Sequence, residues 1–172
     1  MQDFVHLHVH TQYSLLDGQA SVARLVDKAM QNGMKGIAVT DHGNMFGIKE
    51  FTNYVNKKNS GPKGEVKDLK KRIAGIEAGT IECADKEAEI AACKAKIVEA
   101  ENKLFKPVIG CEMYVARRTM DLKEGKPDQS GYHLIVLAKN EKGYHNLIKL
   151  VSHAWTRGYY MRPRTDRSEL EK

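Results

Sequence analysis

Apolar and histidine side chains alternate strictly along residues 4–10, near the start of the chain. A repeat of two residues is typical of a β-strand, and it would place the aliphatic side chains on one face and the imidazoles on the other. The aliphatic positions are Val5, Leu7 and Val9, and the histidines are His6, His8 and His10. Histidines two positions apart on a strand lie about 6.6 Å apart, so two of them can bind one metal ion. Histidines hydrogen-bonded within a core would give the same pattern, but the Asp17 that follows favours a metal site.

A helix and a second strand are predicted immediately after this segment. Apolar side chains at helical spacing begin at Val22, behind the N-cap candidate Ser21, and end before Asn32-Gly33. The apolar run of residues 36–40 then predicts a buried parallel strand, which completes a β-α-β unit. Ligands of such sheets bind beyond the carboxyl ends of the strands. Because His42 lies just past that end, we expect it to meet the histidines of the first segment at one edge of the sheet.

Helical periodicity dominates the middle of the chain. A helix is predicted from about residue 46 to 57, and the Gly- and Pro-containing residues 59–64 predict a break after it. Residues 66–104 repeat apolar side chains at intervals of three and four amid lysine and glutamate, which predicts two helices joined near residues 79–85. We interpret residues 59–104 as a helical-hairpin insertion within a single domain of 172 residues. The insertion is either a solvated structural element or a docking arm for another protein.

Two further strands are predicted in the second half, each with one polar group suited to metal binding. Residues 106–115 have a strand-like pattern and carry a single carboxylate, Glu112. An unpaired buried carboxylate is costly, so a cation, an arginine or a metal should face it. His133 stands at the beginning of the next predicted strand, residues 132–138.

A helix and then a basic, aromatic segment follow. Helical spacing covers residues 141–156, and its two histidines, His145 and His153, are expected to be surface or capping groups. After this helix, arginines and tyrosines interleave, as in segments that grip single-stranded nucleic acid. A loop whose arginines lay their aliphatic stems over the surface would have the same pattern. The candidate nucleic-acid-binding residues are Arg157, Tyr159, Tyr160, Arg162 and Arg164.

Composition is that of an ordinary globular protein. Of the 172 residues 41% are hydrophobic, and no apolar run is long enough to span a membrane. The first residues lack the basic and apolar regions of a secretory signal peptide, so we expect an unexported, cytoplasmic protein. The three cysteines show no metal-binding spacing and indicate reduced thiols. The formal charge of +6 favours phosphate-rich partners only weakly, because mixed-sign helices give the same sum.

Four stretches together resemble the PHP (polymerase and histidinol phosphatase) domain family, in the form found at the amino terminus of bacterial DNA polymerase III alpha subunits. They are residues 4–18 with H-L-H-V-H and the aspartate, 38–47 with T-D-H-G-N, 106–115 with I-G-C-E, and 133–164 with R-G-Y-Y. The resemblance covers residues 1–58 and 104–172 and leaves the insertion outside. It implies an α/β fold, part of a distorted (β/α)7 TIM-like barrel that is truncated here, with metal ions at the carboxyl ends of the strands.

The resemblance also implies a set of metal ligands. The matching positions are His8, His10, Asp17, His42, Glu112 and His133. Glu112 matches the carboxylate that bridges metals, whereas His6 lies outside the ligand set and is expected in the core or in a supporting position. Ligand positions of the family's later strands have no counterpart before Lys172, so we expect fewer metals than the family's three in this chain. Imidazoles with carboxylates suit Zn, Mn or Fe, and such clusters hydrolyse phosphoesters.

The function implied is that of an amino-terminal fragment of a replicative DNA-directed DNA polymerase. Its PHP domain would bind metal and hydrolyse phosphodiesters as a 3′–5′ exonuclease, while the parent polymerase would use Mg. The alternatives are a non-catalytic scaffold that docks a proofreading subunit, and a phosphoesterase of the histidinol phosphatase type. The implied partners are DNA, the proofreading exonuclease and the sliding clamp, without a membrane. Open strand edges of a truncated barrel also predict self-association.

Overall fold

The computed structural model describes residues 4–129 and 131–172, which form seven helices and four strands. In chain order the elements are α1 (Val22–Gln31), β1 (Gly36–Val39), α2 (Ile48–Lys58), α3 (Ser60–Glu77), α4 (Lys86–Asn102), β2 (Lys106–Ala116), α5 (Lys126–Gln129), β3 (Gly131–Leu137), α6 (Glu141–Thr156), β4 (Arg164–Thr165) and α7 (Arg167–Leu170). The chain divides into two compact units. The first comprises Met1–Thr52 and Pro107–Lys172, and the second comprises Asn53–Lys106.

The sheet of the first unit is open and mixed, with the strand order β1-β2-β3. Beyond the end of β1, His42 forms a parallel bridge with Glu112 of β2. β3 runs antiparallel to β2, with His133 opposite Tyr114, and the short β4 pairs in parallel with β2 at Arg164. Helices and a partly parallel sheet confirm the predicted α/β class. The antiparallel β3 departs from the parallel order of a regular (β/α) barrel.

Strand β2 separates the core from the functional side of the sheet. Successive side chains of a strand point to opposite faces. Cys111 and Met113 are fully buried in a core cluster with Leu147, Val151 and Ala154 of α6. Glu112, which lies between them, faces the other side together with histidines from other segments. The packing of α6 therefore fixes the strand that carries the carboxylate.

Residues 4–10 lie along β1 but do not form the predicted strand. The backbone N–H of Ala38 donates to His6 O at 2.8 Å, and that of Thr40 donates to Val9 O at 2.9 Å. In return, the Val9 N–H donates to the Thr40 hydroxyl instead of a backbone carbonyl. The chain bends at residues 7–8, and Leu7 is 50% exposed. The predicted separation into an apolar and a histidine face is therefore wrong at this bend.

Helix α1 and strand β1 agree with their sequence patterns. Ser21 occupies the N-cap position, although its side chain makes no capping hydrogen bond, and Asn32 is the C-cap. Gly33 follows with φ of 74°, a left-handed conformation that favours glycine at a helix end. Val26 is among the buried residues of the helix, and all four residues of β1 are buried.

The second unit is a helical hairpin of α3 and α4 joined by residues 78–85. Buried side chains line it, including Ile76 and Cys93, and Arg72 pairs with Glu89 at 2.8 Å. At its base the buried Asn59 side chain bonds both backbone groups of Phe105, accepting from N at 2.9 Å and donating to O at 2.8 Å.

The predicted break at residues 59–64 is wrong, because residues 60–64 begin α3. Helical hydrogen bonds continue from Asn59 N to Val55 O and from Lys63 N to Asn59 O. Pro62 is accepted because N–H groups in the first turn of a helix have no intrahelical partner. The second helix also begins later than predicted, at Ile48.

Candidate metal centre

Glu112 is the carboxylate around which the candidate site is built. It is 4% exposed and lies on β2, and its two oxygens have different neighbours. Oε2 lies 2.9 Å from His8 Nε2 and 2.5 Å from His10 Nε2. Oε1 lies 2.7 Å from His133 Nδ1. One carboxylate thus faces imidazoles from the amino-terminal segment on one oxygen and an imidazole of β3 on the other.

Histidine contacts keep Glu112 ionised. Burial alone would raise the pKa of Glu112, but hydrogen bonds from His8, His10 and His133 and the proximity of His42 outweigh burial and hold that pKa at about 2. The carboxylate is therefore available as an anionic ligand at neutral pH.

His42 connects Glu112 to Asp17. Its Nδ1 lies 2.6 Å from Asp17 Oδ2, and this hydrogen bond lowers the pKa of Asp17. Its ring stacks on Tyr114, with centroids 4.3 Å apart and an interplanar angle of 18°. Its Nε2 is buried without a hydrogen-bond partner among the described residues and lies 4.0 Å from Glu112 Oε1. A buried imidazole nitrogen 4.0 Å from a carboxylate oxygen, with no hydrogen bond between them, is suited to a cation between the two.

The structure brings all six predicted ligand residues together. Their ligand atoms form three overlapping groups, each with all members within 4.8 Å: His8, His10 and Glu112; His10, Asp17 and His42; and His42, Glu112 and His133. Each group combines imidazole with carboxylate, which is the donor set of Zn, Mn or Fe rather than of Ca. The residues present therefore fit divalent transition metals.

His6 lies outside these groups. It is exposed, and its ring contacts Phe4 edge to face at 4.7 Å between centroids. Of the two positions expected for His6, the core is wrong, because its side chain is exposed.

Asp41 is a supporting residue that the sequence patterns did not single out. It is buried, and its carboxylate accepts hydrogen bonds from Thr11 N at 2.7 Å and from the Ser14 hydroxyl at 2.6 Å. The Ser14 oxygen in turn accepts from His42 N at 3.0 Å. This network fixes the loop that carries Asp17 against the end of β1. The signal available in the sequence was an aspartate at a strand end, next to a candidate ligand.

The basic, aromatic tail divides into residues with different environments. Arg164 is fully buried and donates to backbone carbonyls, so its candidacy for nucleic-acid binding is wrong. Arg157 pairs with Glu169 at 3.3 Å, and the Tyr160 hydroxyl accepts from Gly125 N. Arg162 is exposed, and together with Tyr159 it lines a cleft next to the metal cluster.

On α6, the half-exposed His153 lies 3.1 Å from Glu169, which agrees with the expected surface position. No helix in the described parts of the chain is long and apolar enough to cross a membrane.

Comparison with known proteins decides the family. A model of the PHP domain matches residues 6–172. The chain belongs to the PHP domain family. It is 40% identical to the DNA polymerase III subunit alpha of Borreliella burgdorferi over 98% of this chain and 11% of that protein. It is 39% identical to the corresponding protein of Treponema pallidum over 95% of this chain and 10% of that protein.

A more distant relative, the DNA polymerase III subunit alpha of Aquifex aeolicus, is 33% identical over 99% of this chain and 11% of that protein. This PHP chain thus spans about a tenth of the length of these relatives. The resemblance drawn from the four sequence stretches is confirmed.

Proposed function

We propose that this PHP domain binds divalent metal ions, which its six clustered histidine and carboxylate side chains would hold, and hydrolyses phosphodiesters. The observation that carries the proposal is that the two carboxylate oxygens of Glu112 face different imidazoles. Oε2 faces His8 and His10, whereas Oε1 faces His133 and lies 4.0 Å from the unpartnered Nε2 of His42. A carboxylate with imidazoles beside each oxygen would hold divalent metal ions together with those imidazoles.

The similarity to DNA polymerase III alpha subunits supports a place in a replicative polymerase. We propose that the parent protein is a DNA-directed DNA polymerase of the cytoplasm that uses Mg at its polymerase site. Its partners would be DNA, a proofreading exonuclease and a sliding clamp. The PHP domain would contribute a 3′–5′ exonuclease activity, with up to three metals in the complete domain and Zn, Mn or Fe as the candidates.

The residues of this chain would orient the site. Bound metals would supply an activated water and neutralise charge on the phosphoryl oxygens. When His42 Nδ1 donates to Asp17, the lone pair of Nε2 points into the cluster and the ring is held in one orientation. Stacking on Tyr114 holds the same ring from its face. The Asp41 network keeps the loop of Asp17 in place.

Metal content measured by mass spectrometry on the purified chain tests the proposal, together with hydrolysis of bis(p-nitrophenyl) phosphate. We expect stoichiometric Zn, Mn or Fe, and for Glu112→Gln we expect affinity reduced by at least about tenfold with activity lost. Glu171→Gln, which changes an exposed carboxylate on α7's C-cap, should leave both unchanged.

Absence of stoichiometric metal from the wild-type chain would refute the catalytic proposal and favour a non-catalytic scaffold. Metal without hydrolysis would refute the phosphodiesterase activity alone. Faster hydrolysis of small phosphomonoesters than of oligonucleotides would favour the histidinol phosphatase type.

A further inference from the structure

An aromatic cleft adjoins the metal cluster in the first unit. It has a volume of about 230 Å³, and it shares His42 and Asp17 with the cluster. Its other walls come from the segment before α1, from the loop after β1, from the end of α6 and from the segment that follows α6. We call it the aromatic cleft and define it by Tyr13, Phe46, Trp155, Tyr159, Met161 and Arg162.

The rings of the aromatic cleft are exposed yet held in place. Phe46, Trp155 and Tyr159 are 68%, 43% and 49% exposed, an unusual amount of aromatic surface for three neighbours. Trp155 stacks on Tyr159 with an interplanar angle of 18°, and its indole N–H donates to Gly43 O at 2.8 Å. The Tyr13 hydroxyl donates to Glu50 at 2.8 Å. Flat rings fixed in this way form a stacking surface that needs little further ordering to bind a planar ligand.

Arg162 supplies the charge of the aromatic cleft. Its guanidinium lies over the Tyr114 ring, 5.4 Å from the centroid, and Nη1 lies 3.3 Å from the Tyr114 hydroxyl. It also lines a second opening of about 420 Å³ that contains His42 and His133. It therefore stands between the stacking surface and the cluster. A guanidinium in that position is suited to a phosphate group.

We infer that the aromatic cleft is a nucleobase-binding subsite, in which a base of a single-stranded nucleic acid stacks on Trp155 and Tyr159 while Arg162 binds the adjoining phosphate. The inference rests on the proposed function, since it names the substrate class of the same site. Aromatic surface beside a cation favours a phosphate ester that carries a planar group, and nucleotides combine the two. A small aliphatic phosphomonoester would leave the rings uncovered.

Trp155 is the single tryptophan of the chain and reports directly on this subsite. The purified chain is titrated in EDTA with short oligo(dT) and with an abasic oligonucleotide of equal length and charge. We expect oligo(dT) to quench Trp155 fluorescence and to bind about tenfold more tightly than the abasic strand, the gain typical of one stacked base. Equal affinities for the two strands would overturn the inference.

Substitutions separate stacking from charge. Tyr159→Leu should abolish most of the preference for oligo(dT) over the abasic strand, whereas Tyr159→Phe should keep that preference. Tyr144→Ala, a control on the first turn of α6, should also keep it. Arg162→Ala should weaken both strands and reduce the slope of log affinity against log salt by about 0.7, the value for one phosphate of a single strand. Arg167→Ala, which removes an exposed charge paired with Glu171, should not change the slope.

The two proposals fail separately. If the Tyr159 and Arg162 variants bind both strands as the wild type does, the base subsite is refuted even where metal content is stoichiometric. If the purified wild-type chain holds no stoichiometric metal, the metal site is refuted. The oligonucleotide titration is unaffected by that result, because it is made in EDTA.

Discussion

Removal of the Arg164 guanidinium is expected to destabilise the first unit by about 4 kcal/mol, because four backbone acceptors, three of them buried and one half-buried, would each lose a hydrogen bond worth about 1 kcal/mol. Arg164 is 0% exposed, and it donates four hydrogen bonds to backbone carbonyls. Nε donates to Gly158 O at 3.0 Å and Nη1 to Asp128 O at 2.9 Å. Nη2 donates to Met120 O at 2.8 Å and to Leu122 O at 3.0 Å. One side chain thus holds the loop after β2 against the segment before β4.

The magnitude follows from the carbonyls that Arg164→Met would leave unpaired. A buried acceptor without its donor costs about 1–3 kcal/mol. At the upper end of that range, the three buried acceptors and the half-buried Leu122 O would together cost well above 4 kcal/mol. Burial of the Arg164 charge, which lowers the pKa of Arg164, is itself unfavourable and offsets part of the stabilisation from its hydrogen bonds. We therefore take the lower end of the range, about 1 kcal/mol for each acceptor. Arg164→Lys should cost about half as much, because an ammonium group cannot reach all four carbonyls.

Urea titration monitored by Trp155 fluorescence measures the effect, since Trp155 lies in the same unit and the signal excludes the helical hairpin. The exposed Arg167 provides the matched control, and Arg167→Ala should stay within about 0.5 kcal/mol of the wild type. An Arg164→Met free energy of unfolding within about 1 kcal/mol of the wild type would refute the reasoning.

Two further predictions concern buried polar groups. Burial would raise the pKa of Asp166, but hydrogen bonds from Met120 N and its other partners outweigh burial and lower it. The stability that ionised Asp166 contributes should therefore be fully present above its usual pKa of 3.8 and be lost as pH falls through the lowered pKa. In Asp166→Asn, the urea midpoint should consequently depend less on pH in the acid range than it does in the wild type. The same pH dependence in both proteins would contradict this prediction. Asn59→Ala leaves both backbone groups of Phe105 unpaired, so it should destabilise the hairpin unit by about 2 kcal/mol and accelerate amide hydrogen exchange there. Asn56→Ala, at an exposed position, should do neither. Equal exchange rates in the two variants would count against the role of Asn59.

The spacing of apolar residues predicted most helices and strands of the first unit, because each of them buries one regularly spaced set of side chains. The pattern of α1 and the apolar run of β1 both correspond to buried residues. The alternation of residues 4–10 failed for a reason that is not local. The Thr40 hydroxyl takes the N–H of Val9, and the chain bends at residues 7–8. At Val9, a hydrogen bond to a side chain 31 positions away thus takes the place of a regular strand pairing.

The candidate site was predicted in part from topology and in part from family resemblance. The rule that ligands bind at the carboxyl ends of parallel strands correctly placed His42 beside the histidines of the first segment. Glu112 was expected to need a partner, and it has several. The role of Asp41 could not be predicted from spacing, because its partners Thr11 and Ser14 lie on a different segment.

The basic tail shows why charge patterns alone do not assign binding residues. Arg162 and Arg164 are two positions apart and look equivalent in the sequence. Arg164 is buried because acceptors from residues 120–128 surround it, whereas Arg162 stands over Tyr114 at the surface. Three of the four acceptors come from a loop some forty residues earlier, so only the fold distinguishes the two arginines.

Strand β2 and helix α6 couple the metal cluster to the aromatic cleft. The alternation of β2 sends Met113 into the core against α6 and Glu112 into the cluster. The same helix carries Trp155, whose indole bonds the carbonyl of Gly43, the residue after His42. A shift of α6 would therefore displace the stacking surface, the backbone next to His42 and the strand of Glu112 together. One packed interface therefore supports all three, and the proposed binding of a base and a phosphate of one nucleotide would require such a shared support.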